Sequence, residues 1–122
     1  SGGSTRNRAY MLAYRNIKGT PLDVLGTEAS GTSASPATAS LTTSVANGLV
    51  VSFYVAQVDA TGRTFSAPAS TTTRKNVALT ETKPGLLSVD ENKVAAGATS
   101  VRTATLSSSD NWDAFSIAFK QV

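Results

Sequence analysis

Apolar and polar side chains alternate in short runs along this chain, and turn-forming residues separate the runs. The alternation is clearest near the two ends, in residues 8–17 and 112–122. Side chains of a strand point alternately to opposite faces, so this period of two predicts strands, and the weak helical spacing elsewhere predicts an all-β fold. We expect the two runs to share one core, with these residues facing inward: Tyr10, Leu12, Tyr14, Phe115, Ile117 and Phe119.

The middle of the sequence also predicts strands that are separated by turns. Residues 49–58 form the most apolar segment and carry large side chains on both faces, which predicts a central strand that is covered on both sides. Residues 70–79 are rich in threonine and predict a strand with a polar exposed face, and residues 86–94 predict a further strand. Turns are expected at Lys18–Pro21 and at the Asn47-Gly48 pair, which is typical of hairpins. The small polar residues 26–36 predict an exposed connection.

Two stretches of the sequence resemble each other at a constant offset of 105 positions. Residues 9–17 read AYMLAYRNI and residues 114–122 read AFSIAFKQV, and only Met11 against Ser116 departs from identity or chemical type. Each copy is an aromatic-aliphatic-aromatic strand followed by a cation. This pattern favours a duplicated sandwich unit over a short-period repeat such as a solenoid.

Composition restricts the chemistry available to the chain. Ser, Thr and Ala make up 51 of 122 residues, charged residues are 16%, and neither His nor Cys occurs. Nucleophilic systems that use His or Cys, thiolate or imidazole metal sites and disulfides are therefore excluded. Hydrolysis by a carboxylate pair needs two acids that face each other across a cleft, and the sequence does not place Asp59, Glu81, Asp90 and Asp110 opposite one another. We predict no catalytic residues, no cofactor, no metal and no enzymatic activity.

Three segments carry a family resemblance: AYMLAYRNIKGTPLDV, SVANGLVVSFYVAQ and VAAGATSVRTATLSSSDNWDAFSIAFKQV. They resemble a β-sandwich module that recurs in structural proteins of tailed bacteriophages and in secreted bacterial surface proteins. The resemblance implies an antiparallel β-sandwich, jelly-roll or Ig-like, over residues 8–122, after a flexible segment at 1–7. Such units are often longer, so either the chain belongs to a longer protein or another chain completes the sandwich.

Positive charge is concentrated at the start of the chain, where no acidic residue occurs before position 23. A basic edge of this kind can bind nucleic acid, an anionic glycan or an acidic neighbouring subunit. Alternatively, the charges only prevent unwanted pairing at a solvated strand edge. No nucleic-acid-binding motif accompanies the charge, so we predict no specific nucleic-acid partner. The residues expected at an interface are Arg6, Arg8, Arg15 and Lys18.

The single tryptophan, Trp112, lies among Asp110, Asn111 and Asp113. A tryptophan ring beside carboxylates and amides can stack on a sugar while the polar groups bind its hydroxyls. Alternatively, the ring caps the end of the core. The same oxygen atoms could ligate Ca²⁺, but the spacing lacks the glycine and distal glutamate of a calcium-binding loop. These four residues are the candidate binding surface for a glycan or a protein partner.

Two function classes remain. The first is a structural or attachment module of a bacteriophage virion, such as a capsid decoration protein, a tail component or a fibre head, which binds other virion subunits or copies of itself. The second is a carbohydrate-binding module of a secreted or cell-surface bacterial protein, with a cell-surface glycan as ligand. No apolar run approaches the roughly 18 residues of a membrane span, so membrane insertion is not expected.

Overall fold

The computed structural model describes residues 8–57, 62–80 and 83–122, and every regular element in these ranges is a β-strand. The predicted all-β class is therefore confirmed, and all the strand pairings are antiparallel. The predicted segment 1–7, with Arg6, lies outside the described residues. The strands are β1 Ile17–Leu25, β2 Ala29–Ser33, β3 Thr42–Thr43, β4 Gly48–Ala56, β5 Phe65–Ser66, β6 Thr72–Val77, β7 Gly85–Lys93, β8 Gly97–Ala98, β9 Thr105–Leu106 and β10 Asp110–Gln121.

Six of these strands form one large sheet in the order β1-β10-β4-β7-β6, and β2 continues the edge next to β1. β1 opposes the second half of β10, and β2 opposes the first half. β4 lies between β10 and β7 over its whole length, so its predicted central position is confirmed. The strands predicted at 70–79, 86–94 and 112–122 correspond to β6, β7 and β10.

The main core lies on one side of the large sheet, which we call the inner face. Tyr54 of β4 and Leu87 of β7 are fully buried there. Phe65, Leu79 and Leu106 come from chain segments that lie over the sheet and pack into the same cluster. These segments pair in short ladders, β3 with β8 and β5 with β9. The inner face is thus closed by the connections between the long strands.

β10 directs its small side chains to the inner face, where Ala114, Ser116 and Ala118 are buried. The prediction that its aromatic side faces the main core is wrong, since Phe115 lies on the opposite side and is 37% exposed. The register explains this, because large side chains of β4 stand opposite the small ones. Tyr54 opposes Ala114, and Val50 opposes Ala118. The inner volume is therefore filled without the aromatics of β10.

The strand predicted over residues 8–17 is also wrong, because β1 begins only at Ile17. Residues 8–16, which we call the strap, form no ladder with any described strand. The alternation in the strap is nevertheless real: Tyr10, Leu12 and Tyr14 are half-buried, and the residues between them are exposed. Asn16 ends the strap with a positive φ of 58°.

Both outer edges of the large sheet are irregular. The turn predicted at Lys18–Pro21 is instead part of β1, whose register with β10 shifts on both sides of Leu22. Pro21 has no N–H to donate to a further strand. On the other edge, β6 has a shift between Thr73 and Lys75 and carries two adjacent cations. Irregular, charged edges discourage the addition of another strand.

Two turn predictions near these strands also need correction. The connection predicted at 26–36 contains β2, a short strand of small residues. The Asn47-Gly48 pair does reverse the chain, and Asn47 has a positive φ of 54°. It does not form a hairpin, because β3 before it pairs with β8 and not with β4. The turn at Asn47-Gly48 was thus predicted correctly, whereas the pairing of β3 depends on a distant part of the chain.

Candidate interaction face

The second side of the large sheet, which we call the outer face, is also lined by large apolar side chains. Alternation along β4 and β10 directs there every residue that does not point to the core. Residues that stand opposite each other in neighbouring strands point to the same side, so β1 and β7 add to this surface through their register with β10 and β4. The large apolar residues of the outer face are Leu22, Leu25, Leu49, Val51, Phe53, Val55, Leu86, Phe115, Ile117 and Phe119. The same register places Ser88, Asp90 and Asp113 on this side.

Much of this apolar surface remains accessible to solvent. Leu25 is 63% exposed, Leu22 is 50% exposed and Phe115 is 37% exposed. Phe115 stacks on Phe53 with ring centroids 4.9 Å apart and the ring planes inclined by 22°. Exposed single apolar residues are common in proteins, but adjacent ones on the two neighbouring strands β1 and β10 form a contiguous patch of the kind that marks interaction sites.

The strap crosses the outer face and leaves a groove of about 460 Å³ beside it. One wall is formed by the half-buried side chains of the strap, and the other is formed by the sheet. Aromatic side chains from both sides meet in this groove, with Tyr10 and Tyr14 on one side and Phe53, Phe115 and Phe119 on the other. The two sequence stretches that resemble each other therefore face one another across the groove.

Polar groups hold the strap over β6 and β7. Arg8 Nη1 donates a hydrogen bond of 3.1 Å to the carbonyl of Ala78, just after β6. The Tyr14 ring lies near Asp90, whose carboxylate accepts a hydrogen bond of 2.5 Å from Arg74 Nε. Burial, with the Asp90 carboxylate acting in the same direction, raises the pKa of Tyr14 to about 12. Tyr14 therefore stays neutral at physiological pH, and its ring can lie against the apolar sheet.

Trp112, the first of the predicted site residues, points to the inner face. It is half-buried and packs against the main core cluster. Its indole N–H donates a hydrogen bond of 3.0 Å to Ser33 Oγ. Gly31 of β2 lies under the ring, where a Cβ atom would come within 2.9 Å of Cζ2. Much of the ring surface is thus already used by the protein, as expected for a tryptophan that caps the core.

Asp110 is buried beside this tryptophan. Its carboxylate pairs with Arg63 Nη1 at 2.5 Å and accepts a hydrogen bond of 2.8 Å from the backbone N–H of Asn111. A buried carboxylate needs such partners, because transfer of an unpaired charge from water is strongly unfavourable. Both oxygen atoms of Asp110 thus have partners within the protein, and its role in this geometry is to fix the start of β10.

Asn111 and Asp113 are exposed and lie on the side of β10 opposite Trp112. They border a polar cleft of about 310 Å³ at one end of the sheet, which Gln57 and Thr32 also line. Asn111 Nδ2 donates a hydrogen bond of 3.3 Å to Gln57 Oε1, and its Oδ1 accepts one from the Thr32 hydroxyl. Trp112 also lines this cleft. The structure therefore brings Trp112, Asn111 and Asp113 to one cleft, although their side chains leave β10 on different sides, and it buries Asp110 in an ion pair.

The predicted basic edge is divided as well. Arg8 is half-buried and bonds to the chain after β6, whereas Lys18 lies in β1 at the opposite edge of the sheet. Arg15 and Lys18 are exposed. Of the three that can be placed, Arg8 belongs to the attachment of the strap, and the other two do not share its position.

No protein-family model, curated protein or solved structure matches this chain. Within the described ranges no helix is present that could span a membrane. The same ranges contain no group of three or more acidic side chains placed to hold a metal ion.

The outer face was not predicted from the sequence. The apolar run 49–58 indicated that β4 is covered on both sides, which should have implied a second apolar surface. Leu22 and Leu25 gave no signal by themselves, because their contribution depends on how β1 is aligned with β10. The extent of the patch is a property of strand register, and register is not visible in one segment at a time.

Proposed function

We propose that this chain is a non-enzymatic attachment module of a bacteriophage virion, such as a capsid decoration protein, a tail component or a fibre head. The fold we propose for it is an antiparallel β-sandwich of jelly-roll or Ig-like type, in which the large sheet is one layer and the short ladders belong to the other. The virion context rests on the resemblance of three sequence segments. The assembly role rests on the outer face.

One observation carries the assembly role: large apolar residues of two adjacent strands, β1 and β10, are exposed on the outer face. Leu22, Leu25 and Phe115 are between 37% and 63% exposed. Burial of apolar surface yields about 25 cal/mol per Å², so a surface of this kind gains free energy when a partner covers it. The outer face lacks a carboxylate pair across a cleft and any His or Cys, so contact with a partner is the chemistry that it offers.

The proposal predicts that the chain is a stoichiometric part of assembled particles. Particles from a culture that produces the protein would be purified on a density gradient, and their peptides quantified by mass spectrometry. We expect peptides of this chain to follow the particle band and to remain there after a wash in high salt, because apolar contacts are not screened by ions. Absence of the chain from the particle band contradicts the virion assignment.

A second candidate function is glycan binding at the polar cleft beside the start of β10, on a secreted or cell-surface protein. The observation that favours it is the convergence of exposed amide, hydroxyl and carboxylate groups in a cleft of about 310 Å³. A glycan array with Asn111→Ala and Asp113→Ala tests it. Both variants should lose binding, whereas Asn92→Ala, an exposed asparagine at the other end of the sheet, should keep it.

A further inference from the structure

We propose that the strap is an autoinhibitory cover of the outer face, which opens as a unit at Asn16 while the sheet stays folded. Opening adds the side chains beneath the strap to the apolar surface that is already exposed on β1 and β10. The inhibitory role rests on the proposed attachment function, whereas the opening can be measured without it. Four observations support the proposal: the strap has no backbone ladder, it covers apolar side chains, its tyrosine hydroxyls are incompletely bonded, and a hinge follows it.

The strap is attached to the sheet by side chains and not by a backbone ladder. None of residues 8–16 belongs to a strand, and none of them is fully buried. In β4, by contrast, seven of the nine residues are buried. Segments with few buried contacts and no regular hydrogen bonds open at a lower free energy than global unfolding requires. The strap can therefore separate from the sheet before the sheet unfolds.

The strap covers apolar side chains that belong to the outer face. Leu12 of the strap lines one groove with Val51 and Phe53 of β4 and with Phe119 of β10. Val51 is only 1% exposed, although its side chain points away from the main core. Among the described residues, the strap is the segment that lies over this part of the face. Opening would therefore extend the exposed apolar stripe from β1 and β10 across β4.

The polar contacts of the two tyrosines beneath the strap are incomplete. The hydroxyl of Tyr10 lies beside Ser88, and that of Tyr14 lies beside Asp90. The hydroxyl oxygens of Tyr10, Tyr14 and Ser88 are buried, but none of them makes a hydrogen bond of normal geometry. Buried polar groups without well-formed partners oppose the burial of the apolar groups around them. These opposing contributions make closure of the strap weakly favourable and reversible.

Asn16 provides a defined point at which the strap can turn. Its φ of 58° is left-handed, a conformation that asparagine adopts more readily than most residues. Its carbonyl accepts a hydrogen bond of 2.9 Å from the backbone N–H of Val122, just after β10. β1 begins at the next residue, Ile17, which pairs with Gln121. The chain is thus fixed on one side of Asn16 and has no ladder on the other, so a rotation there moves the strap alone.

Two variants of the complete chain that place the same charge at neighbouring strap positions test the opening. Leu12 lines the groove and is half-buried, whereas Ala13 is exposed. Leu12→Asp should open the strap, because it places an unpaired carboxylate against apolar side chains. Trypsin cleavage after Arg8, whose guanidinium is bonded to Ala78 in the closed strap, should then become at least about ten-fold faster, since cleavage follows the population of the open form. Ala13→Asp should be cleaved at the wild-type rate.

The fluorescence of Trp112, which packs against the main core, reports whether the sheet stays folded. In urea, the unfolding midpoint of Leu12→Asp should remain close to that of Ala13→Asp. Two results overturn the opening: a Leu12→Asp chain whose sheet is unfolded, which would make the strap part of the core, or one that is cleaved no faster than Ala13→Asp. Leu12→Ser, a milder change at the same position, decides the test if Leu12→Asp aggregates, and its cleavage should be faster than in the wild type.

Incorporation into particles separates this inference from the proposed function. When the two variants compete for the same particles, Leu12→Asp should be enriched at least about three-fold over Ala13→Asp, because its outer face is open for more of the time. Equal or lower incorporation of Leu12→Asp overturns the inhibitory role and leaves the virion role intact. Absence of both variants and of the wild type from particles removes the virion role, and the trypsin comparison then still decides the opening.

Discussion

The inner and outer faces of the large sheet are built by the same central strands, but different parts of the chain cover them. Connections that pair in short ladders lie over the inner face, where Tyr54 and Leu87 have no exposed surface. Of the described residues, the strap alone lies over the outer face; it forms no ladder with the described strands, and Phe115 remains 37% exposed. The side chains of the inner face therefore hold the fold together, whereas the exposed side chains of the outer face are available to a partner.

The two faces also differ in how they combine side-chain sizes. On the inner face, large residues of β4 stand opposite small residues of β10, so the space is filled evenly. On the outer face, large residues stand opposite large ones, as Phe53 does opposite Phe115 and Val51 opposite Ile117. Close packing of large against small is typical of a permanent core. Large side chains on both strands instead form a protruding apolar surface on the outer face, which a partner can cover.

The largest expected difference between the faces concerns one substitution made on each. Leu87→Ala, in the fully buried core, should lower the free energy of unfolding by about 2 to 5 kcal/mol, because it removes buried methyl groups and leaves a cavity. Leu25→Ala, on the outer face at 63% exposure, should change it by less than about 0.5 kcal/mol. Urea unfolding at a protein concentration where the chain is monomeric measures both. Equal costs would show that the outer face is part of the core.

A second prediction concerns the junction between β1 and β2, the two strands that lie beside β10 at one edge of the sheet. Gly26 N–H donates a hydrogen bond of 2.8 Å to the carbonyl of Ser116, and a Cβ at this position would lie 2.7 Å from the same oxygen. The backbone there has little room to move, so Gly26→Ala should cost about 1 to 3 kcal/mol.

Gly19→Ala is the matched control for this substitution. Gly19 lies in the same edge strand, and a Cβ there would meet nothing within 4 Å. Because the change restricts the unfolded chain, it should be neutral or stabilising by up to about 1 kcal/mol. Thermal unfolding of the two variants side by side gives the comparison. A Gly26→Ala protein as stable as Gly19→Ala would mean that β1 and β2 are not joined closely across β10.

Much of this architecture could be predicted from the sequence, and the failures have a common cause. β4, β6, β7 and β10 were predicted because each has its own apolar or threonine-rich pattern over nine or more positions of chain. The alternation in β10 correctly separated its two sides, but it could not say which side is covered. That depends on the connections of residues 34–43 and 97–107, which are distant from each other in the sequence and are joined by backbone hydrogen bonds.

The candidate site shows the same limit. Asn111 and Asp113 were predicted as surface residues and are exposed, whereas their neighbours Asp110 and Trp112 are directed inward by the alternation of a strand that begins at Asp110. If the last strand had been predicted to begin at residue 110 instead of 112, its alternation would have placed Asp110 and Trp112 on one side and Asn111 and Asp113 on the other. The strap was predicted as a strand because it has the side-chain pattern of one. What it lacks is a backbone partner among the described residues, which no pattern reveals.

A third prediction compares a tyrosine of each face at alkaline pH. Burial raises the pKa of Tyr54 to about 12, from 10.0, and its hydroxyl donates a hydrogen bond of 2.9 Å to the carbonyl of Arg102. The pKa of Tyr14 is also raised to about 12. A pKa that is higher in the folded state contributes stability that is complete below the unfolded value and is lost as pH rises through the folded value. Stability should therefore hold up to about pH 10 and fall between pH 10 and 12.

The two tyrosines should contribute differently to this loss. Tyr54 lies in the main core, so its ionisation requires the sheet to open, and Tyr54→Phe should remove much of the alkaline slope. Tyr14 lies in the strap, which can detach locally while the sheet stays folded. Tyr14→Phe should therefore leave most of the slope in place. Urea unfolding at a series of alkaline pH values measures the slopes, and a larger reduction in Tyr14→Phe than in Tyr54→Phe would reverse the assignment of the two faces.

The smallest expected effect concerns a pair of buried serines on the inner face. Ser52 and Ser116 are both buried, stand opposite each other in β4 and β10, and their hydroxyl oxygens are 2.7 Å apart. Either single change to alanine leaves the other hydroxyl buried without this partner, which should cost about 1 to 2 kcal/mol. Replacing both removes the donor and the acceptor together, so the double variant should cost clearly less than the sum of the single ones. Chemical unfolding of the four proteins in the cycle provides the coupling energy. If the two costs simply add, then the two hydroxyls do not depend on each other, and the inner face is less tightly closed at this point than its covering chain implies.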